Sequence, residues 1–460
     1  MELQQRLSAL ADPTTPTYEL AQMFSKEGFE FHVVGGSVRD VILGEDAYDI
    51  DICTNARPEQ ITSILSGVAS DLWKQGEAFG TIGARYKGQD FEITTYRREI
   101  YRDESRKPEV EFGDSLDTDL SRRDFTINAM AFSLPEAKLI DPYNGLDDLI
   151  SKRLRTPLSP EVSFSDDPLR MMRAARFIAR FGCVPDEELV LAVVKMRDRM
   201  EIVSAERIRD ELCKLLVVPD PSPGLYFLSE TKLSDEFLPE LNAMSLEQDP
   251  IHTHKDVLVH TIAVVANTRP ELRVRLAALM HDIAKPATRA IGEHGVSFHH
   301  HEVVGAKMTR KRMKALAFSK EMIEEVSKLV FLHLRIHTYA MGWTDSAVRR
   351  YVRDAGDLLD DLNHLQRCDC TTRNPKRAKM LQDRMDSLEE RIVELSKHEE
   401  LKKIRPHLDG QQVMDHLDIK PGREVGQALD FLLEHRLENG PIEESEAYAL
   451  LDEWAAKNLK

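Results

Sequence analysis

Residues 33–55 read VVGGSVRDVILGEDAYDIDICTN. Two glycines follow an apolar run and precede an arginine, and further on two aspartates stand one residue apart in another apolar run. FHVVGG and YDIDICT are rich in β-branched residues and bounded by Gly, Asn and Asp, so both read as strands. The stretch is therefore strand, glycine turn, helix from near Ser37, strand. On a strand, Asp49 and Asp51 share one face, about 6–7 Å apart. Carboxylates that close repel each other, and apolar neighbours give them no cover. A lone DxD often marks an exposed strand face. Here Gly35 and Gly36 would let backbone N–H groups approach phosphate oxygens at a helix start, and Arg39 would add a charged donor. Mg²⁺ prefers one or two carboxylates together with substrate phosphates. A phosphate cradle ahead of a metal-binding carboxylate pair is the layout that nucleotidyl transfer requires. Glu92, in FEITTYR on another strand, is the candidate third carboxylate.

Working outward, 460 residues exceed one ordinary core, so several domains are expected. The apolar share of 42% and charged share of 31% suit a soluble globular chain. The N-terminal stretch MELQQRLSALADP lacks a basic segment followed by an apolar one, and no run approaches the roughly 18 apolar residues of a membrane helix. No membrane partner is expected. Five cysteines without CxxC spacing fit a reducing cytoplasm. A formal charge of -17 argues against nonspecific coating of nucleic acid. Two basic runs stand out against it, KMTRKRMK (Lys307–Lys314) and RNPKRAK (Arg373–Lys379). Either could be a solvated helix face or an anion-binding patch.

TIGARY and DFEITTYR add strands, and turns with short helices intervene, which gives a small α/β head with a mixed sheet over residues 31–155. After RTPLSPEVSF the pattern becomes almost wholly helical. The expected fold class is multidomain α+β. A helical segment (1–30) precedes the head, and an all-α neck and RNA-binding region (156–250), a histidine-rich domain (251–375) and a helical tail (376–460) follow it.

Between Pro168 and Pro185 the charged side chains are Arg170, Arg173, Arg176 and Arg180, spaced to lie along one stripe of a helix. Arginine alone on such a helix suggests an anionic partner such as a triphosphate. Ion pairs with carboxylates elsewhere would explain the stripe equally well.

Four motifs resemble those of the class II tRNA nucleotidyltransferases, the CCA-adding enzymes and bacterial poly(A) polymerases. They are VVGGSVRD…DIDICT, FGTIG (Phe79–Gly83), LSRRDFTINAMA (Leu120–Ala131) and DDPLRMMRAARF (Asp166–Phe177). Their order and spacing over roughly residues 31–239 match the family. The resemblance implies transfer of CMP and AMP from CTP and ATP to the 3′ end of tRNA, with Asp49 and Asp51 holding Mg²⁺. It implies that Arg123 and Asp124 hold the ribose region and that Arg173 and Arg176 contact the nucleotide. Asp167 and Arg170 would then choose the base. Cytosine and adenine each present an amino donor beside a ring-nitrogen acceptor, which an aspartate and an arginine match. Uracil and guanine reverse the order, and each buried mismatch costs about 1–3 kcal/mol. Asp166 stands where the family usually has Glu. The stretch GEAFGTIGARY lacks the run common in poly(A) polymerases. Residues 98–114 resemble the flexible loop absent from enzymes that add the two cytidines alone. Full CCA addition is the first expectation, with A-only addition or poly(A) synthesis as alternatives.

Further on, His260, His281-Asp282, His301, His333 and Asp369 follow the order H…HD…H…H…D, which resembles the HD phosphohydrolase superfamily over about residues 251–373. Imidazole with carboxylate suits Mn, Fe, Ni, Co or Zn. The resemblance implies one or two metals and hydrolysis of phosphate esters. A retired site serving as a helical tRNA-binding surface is the bland alternative. A rival of another class makes this domain the working enzyme and the N-terminal half a nucleotide sensor.

Overall fold

The computed structural model describes residues 2–45, 49–74, 76–77, 80–100, 109–112, 115–246, 256–292, 295–336, 339, 343–371, 374–397, 399–401 and 404–459. They form two compact units, Met1–Asn242 and Ala243–Lys460.

The first unit is built around a seven-stranded sheet. Its strands are β1 (Phe31–Val34), β2 (Asp49–Thr54), β3 (Asp71–Trp73), β4 (Thr81–Tyr86) and β5 (Gln89–Thr95). A separate hairpin, β6 (Arg97–Ile100) and β7 (Glu109–Phe112), interrupts the series before β8 (Ala131–Leu134) and β9 (Lys138–Ile140). The sheet order is β3-β4-β5-β2-β1-β8-β9. Only β2 and β5 run parallel, so the sheet is mixed. The register aligns Val33, Ile52, Ile93 and Ile82 in one row, and Ile50, Phe91 and Ala84 in the next. All seven are buried. Alternation then forces Asp51 and Glu92 onto the opposite face. Helices Pro16–Lys26, Gly36–Leu43 and Pro58–Leu65 pack on the sheet, and each presents apolar side chains to it.

The strands read from FHVV, DIDICT, TIGARY and DFEITT are present. AFSL, KLI and DLW also form strands, too short for a periodic signal. The 98–114 loop begins and ends in the β6–β7 hairpin, and residues 101–108 and 113–114 lie outside the described set. Phe79 of the FGTIG motif, Arg373 of the second basic run, and His252 and His254 lie outside it too.

Behind the head come helices Pro160–Asp166, Arg170–Phe181, Glu187–Met196, Ala205–Leu216 and Ser222–Glu230. Gly224 allows the close approach here: a Cβ would meet the Ala175 carbonyl oxygen at 2.5 Å and Leu215 Cδ1 at 2.6 Å. The second unit is helical, with one departure from the expected pattern, a hairpin pairing Ala290–Gly292 with Gly295–Ser297. No helix among the described residues is long and apolar enough to cross a membrane.

Candidate functional site

The parallel pairing of β2 with β5 sets Asp51 beside Glu92, and β4 and β3 extend the row to Gly83 and Trp73. Asp51 is half-buried and Glu92 exposed. Asp49 sits two positions earlier on β2, opposite Asp90, and its side chain lies outside the described residues. The Trp73 indole lies over Gly83: a Cβ there would meet Trp73 Nε1 at 1.7 Å. An aromatic ring thus occupies the carboxylate row on the edge side. Motif reading did not single it out.

At the end of β1 the chain turns through Gly35, at φ 67 and ψ −130. This region is essentially closed to residues with a Cβ. A Cβ at Gly35 would also stand 2.5 Å from Arg123 Nη1, so glycine is what lets the guanidinium lie against the turn. Ser37 Oγ accepts the Asp51 backbone N–H at 3.0 Å, tying the helix start to the carboxylate strand. Arg123 is held from behind by Asp119, which is fully buried. Asp119 Oδ2 accepts from Arg123 Nη2 at 3.1 Å and from the Cys53 thiol at 3.2 Å, and Oδ1 accepts from Arg122 Nη2 at 3.0 Å. Burial opposes ionisation of Asp119, but Arg123 and Arg122 outweigh it and hold its carboxyl below the usual range. Sequence reading passed over Asp119, although its spacing of three and four residues to two arginines at the end of its helix was a usable signal.

Arg39 differs from expectation. It is buried, with Nε and Nη2 donating to Asp40 Oδ1 at 2.8 and 2.6 Å and Nη1 to Asn128 Oδ1. Its guanidinium lies 4.6 Å from the Phe181 ring centroid. A cation surrounded this way braces the helix start and does not point outward as a phosphate donor.

The Arg170–Phe181 helix carries the arginine stripe, and each arginine has an internal partner. Arg170 donates from Nη1 to Ser163 Oγ at 2.9 Å and from Nη2 to the Arg122 carbonyl. Arg173 donates from Nε to Asp124 Oδ2 at 2.8 Å, Arg176 pairs with Glu211, and Arg180 reaches Glu45 at 3.1 Å. Ion pairs with carboxylates thus account for Arg173, Arg176 and Arg180 in the stripe, while Arg170 is held by a hydroxyl and a carbonyl. Asp124 Oδ1 accepts from Asn128 Nδ2 and the Phe125 N–H, both at 2.8 Å. Burial works against its charge, yet Arg173 and Asn128 hold it well below the ordinary carboxylate value. Asp167 accepts the Leu169 N–H at 3.2 Å and Arg207 Nη2 at 2.7 Å. The structure thus links Arg123 to Arg170 through Asp119 and Arg122, pairs Asp124 with Arg173, and directs Arg176 to Glu211.

In the second unit the six predicted residues converge. His260 closes on Asp369 at 2.9 Å, His281 Nε2 lies 3.1 Å from Asp282 Oδ2, and His301 Nε2 lies 3.4 Å from Asp282 Oδ1. Ligand atoms of His260, His281 and Asp369 lie within 4.8 Å of one another, and so do those of Asp282, His301 and His333. Backbone carbonyls orient three of the rings. His281 Nδ1 donates to Ala278 at 2.7 Å, His301 Nδ1 to Phe298 at 2.8 Å, and His333 Nδ1 to Val330 at 2.6 Å. Donation from Nδ1 leaves each Nε2 facing inward. Among the described residues, His301 Nε2 and His333 Nε2 are buried without a hydrogen-bond partner. Burial and the neighbouring His281 push His333 down to about 3, so it is the neutral imidazole that a metal needs. Inward-facing ring nitrogens beside two carboxylates fit one or two transition-metal ions. Thr371 Oγ1, 2.8 Å from His260 Nδ1, and Lys285 Nζ, 2.7 Å from Asp282 Oδ2, complete the surround and were not foreseen.

Comparison with known proteins follows this division. Residues 31–155 match the poly A polymerase head domain, 185–245 the probable RNA and SrmB-binding site of polymerase A, and 257–398 the HD domain. A CCA-adding enzyme of Lactobacillus helveticus is 35% identical over 232 residues, 50% of this chain and 57% of that protein. One of Oceanobacillus iheyensis is 33% identical over 258 residues, 54% and 63% of the two. The matched stretches therefore span between half and two thirds of those relatives. A crystal structure of the Bacillus stearothermophilus CCA-adding enzyme in complex with CTP superposes with a TM-score of 0.67 at 24% identity, covering 97% of this chain and 98% of that one. At that identity the likeness speaks to the fold. The poly A polymerase head, RNA-binding and HD models thus follow one another along the chain, and the curated relatives it resembles are CCA-adding enzymes.

Proposed function

We propose that the chain adds CMP, CMP and AMP, taken from CTP and ATP, to the 3′ end of tRNA. The observation that carries this reading is the row of Asp51 and Glu92 on the open face of the sheet, next to the Gly35 turn and Arg123. Asp49, Asp51 and Glu92 would hold Mg²⁺, which supplies charge neutralisation for the attacking hydroxyl and the leaving pyrophosphate. The acidic face has the donor chemistry that such a hard cation takes. Gly35 and Gly36 would leave room for the triphosphate. Arg123 and Asp124 would hold the ribose, and Arg173 would lie alongside the nucleotide. Asp167 would exchange its bond with the half-exposed Arg207 for the amino group of C or A. A surface ion pair is worth about 0–1 kcal/mol, so that exchange is inexpensive. Arg170, fixed by Ser163 and the Arg122 carbonyl, would meet the ring nitrogen from a held position. Arg39 acts here as a brace, and Arg176, paired with Glu211, as a strut within the neck. The named relatives, CCA-adding enzymes, support the assignment.

The test is to give the protein tRNA lacking its terminal CCA, with CTP and ATP separately and together, and to sequence the 3′ ends. CCA ends are expected, and Asp51→Asn or Glu92→Gln should abolish them. Long A tails without CTP use would overturn the assignment.

A second activity is favoured by the paired metal-ligand sets: the HD unit hydrolyses phosphate esters with a bound transition metal. Asp51→Asn should spare that hydrolysis, and His281→Ala should remove it.

A further inference from the structure

The basic run after the last HD ligand finds no place in the two activities above. Asn374 caps the helix Pro375–Ser396, five residues after Asp369. Lys376, Lys379, Met380, Asp383, Arg384 and Ser387 recur at helical spacing on one face and line a cavity of about 490 Å³. The opposite face buries Met385, Leu388 and Ile392, so the cationic face is turned away from the core. Tyr339, six residues beyond His333, closes the cavity, its hydroxyl 3.1 Å from Ser387 Oγ. Trp343 packs edge-on to Tyr339 with ring centroids 5.3 Å apart.

Most arginines in this chain are paired with a carboxylate. Here, among the described residues, Lys376, Arg377, Lys379 and Arg384 take part in no ion pair, and Arg384 donates to the Met380 sulfur. In a protein of net charge -17, an unpaired group of four cations on one helix is a local reversal of sign. The other basic run differs in having several carboxylates around it. Its cavity of about 590 Å³ sets Lys307, Arg310 and Lys328 against Glu324, Glu325 and Asp357, and Arg310 is paired with Glu324.

We propose that the cleft between Tyr339 and the Pro375–Ser396 helix docks the phosphate backbone of an RNA strand. From Lys376 to Arg384 the helix rises about 12 Å, enough to track successive phosphates. An aromatic side chain against a cationic groove is the combination that binds unpaired nucleotides. Position along the chain supports RNA over an acidic protein. Both walls of the cleft continue directly from metal-ligating residues, His333 and Asp369, of a unit assigned to phosphate esters. The inference rests on the reading of the chain as an enzyme acting on RNA.

The test compares the full-length protein, a K376Q/K379Q/R384Q variant and a charge-matched K307Q/K311Q/K314Q control, with circular dichroism showing all three folded. Anisotropy of labelled tRNA lacking CCA is followed against salt. Three lost phosphate contacts should weaken binding at least about tenfold and flatten the log–log salt slope by about 2, while the control changes by less than about twofold. Equal losses in both variants, or wild-type affinity and slope in the first, would overturn the proposal. So would loss of binding to polyglutamate with tRNA binding intact, which would assign the cleft to an acidic protein. Nucleotide incorporation separates the two levels. A wild-type protein that incorporates CMP alongside a first variant that binds tRNA normally sinks the docking surface alone. A wild-type protein that neither binds tRNA nor incorporates sinks the enzyme reading with it.

Discussion

Asp119 shows how a buried residue can set the position of a candidate binding side chain. It neutralises two arginines and receives a thiol within a fully buried pocket, and removing one partner of a buried ion pair costs about 3–5 kcal/mol. Asp119→Asn keeps the shape and loses the charge. We expect it to destabilise the first unit by about 3 kcal/mol in urea titration. It should also raise KM for CTP more than it lowers kcat, since Arg123 loses its anchor. Asp124 gives a prediction in pH. Its folded value is depressed, so its stabilising contribution is complete above the unfolded carboxylate value and is lost as pH falls below about 4 toward the folded value. The stability gap between wild type and Asp124→Asn should therefore be wide at pH 7 and narrow at pH 3. Asp51, Arg123 and Asp124 come forward as candidates because they stand in motifs, and Glu92 because it stands on a readable strand, which the structure pairs with that of Asp51. The inward turn of Arg39 was not legible, because a sequence does not show that Asp40 and Asn128 claim its donors.

At the scale of elements, the sheet row Trp73, Gly83, Glu92, Asp51 couples an edge strand to the carboxylates. Gly83→Ala should drive the indole off the row, lower thermal stability, and impair incorporation. Trp73→Ala removes the clash, so the double variant should regain most of the stability lost by Gly83→Ala, a coupling measurable by a double-mutant cycle. In the neck, Gly224→Ala places a methyl group against the Ala175 carbonyl and should cost about 1–3 kcal/mol by overpacking, seen as a lower melting midpoint. The long periodic helices and the strands with β-branched alternation could be read from the sequence. Strands of three or four residues such as Asp71–Trp73 and Lys138–Ile140 could not, since their pairing partners rather than their composition make them strands.

For the whole molecule, two compact units that each hold one of the candidate sites imply two separable responses to ligands. A metal that binds the folded HD unit at a hundred times its dissociation constant stabilises it by about 2.7 kcal/mol. Titrating Mn²⁺ or Ni²⁺ into chelator-treated protein should raise the melting transition of the second unit and leave that of the first in place. His281→Ala should cancel the rise. The HD ligand order was visible in the sequence. Its grouping into two ligand sets depends on helices more than a hundred residues apart, and no spacing rule carries that information.

The lone parallel contact in the head, β2 beside β5, also decides where the gene can tolerate insertions and deletions. Between those two strands, residues 66–70 only have to join the Pro58–Leu65 helix to Asp71–Trp73, so codons can be gained or lost there at modest cost. Within Gln89–Thr95 a single deleted codon would swap inside for outside, burying a glutamate and presenting an isoleucine to the carboxylate face.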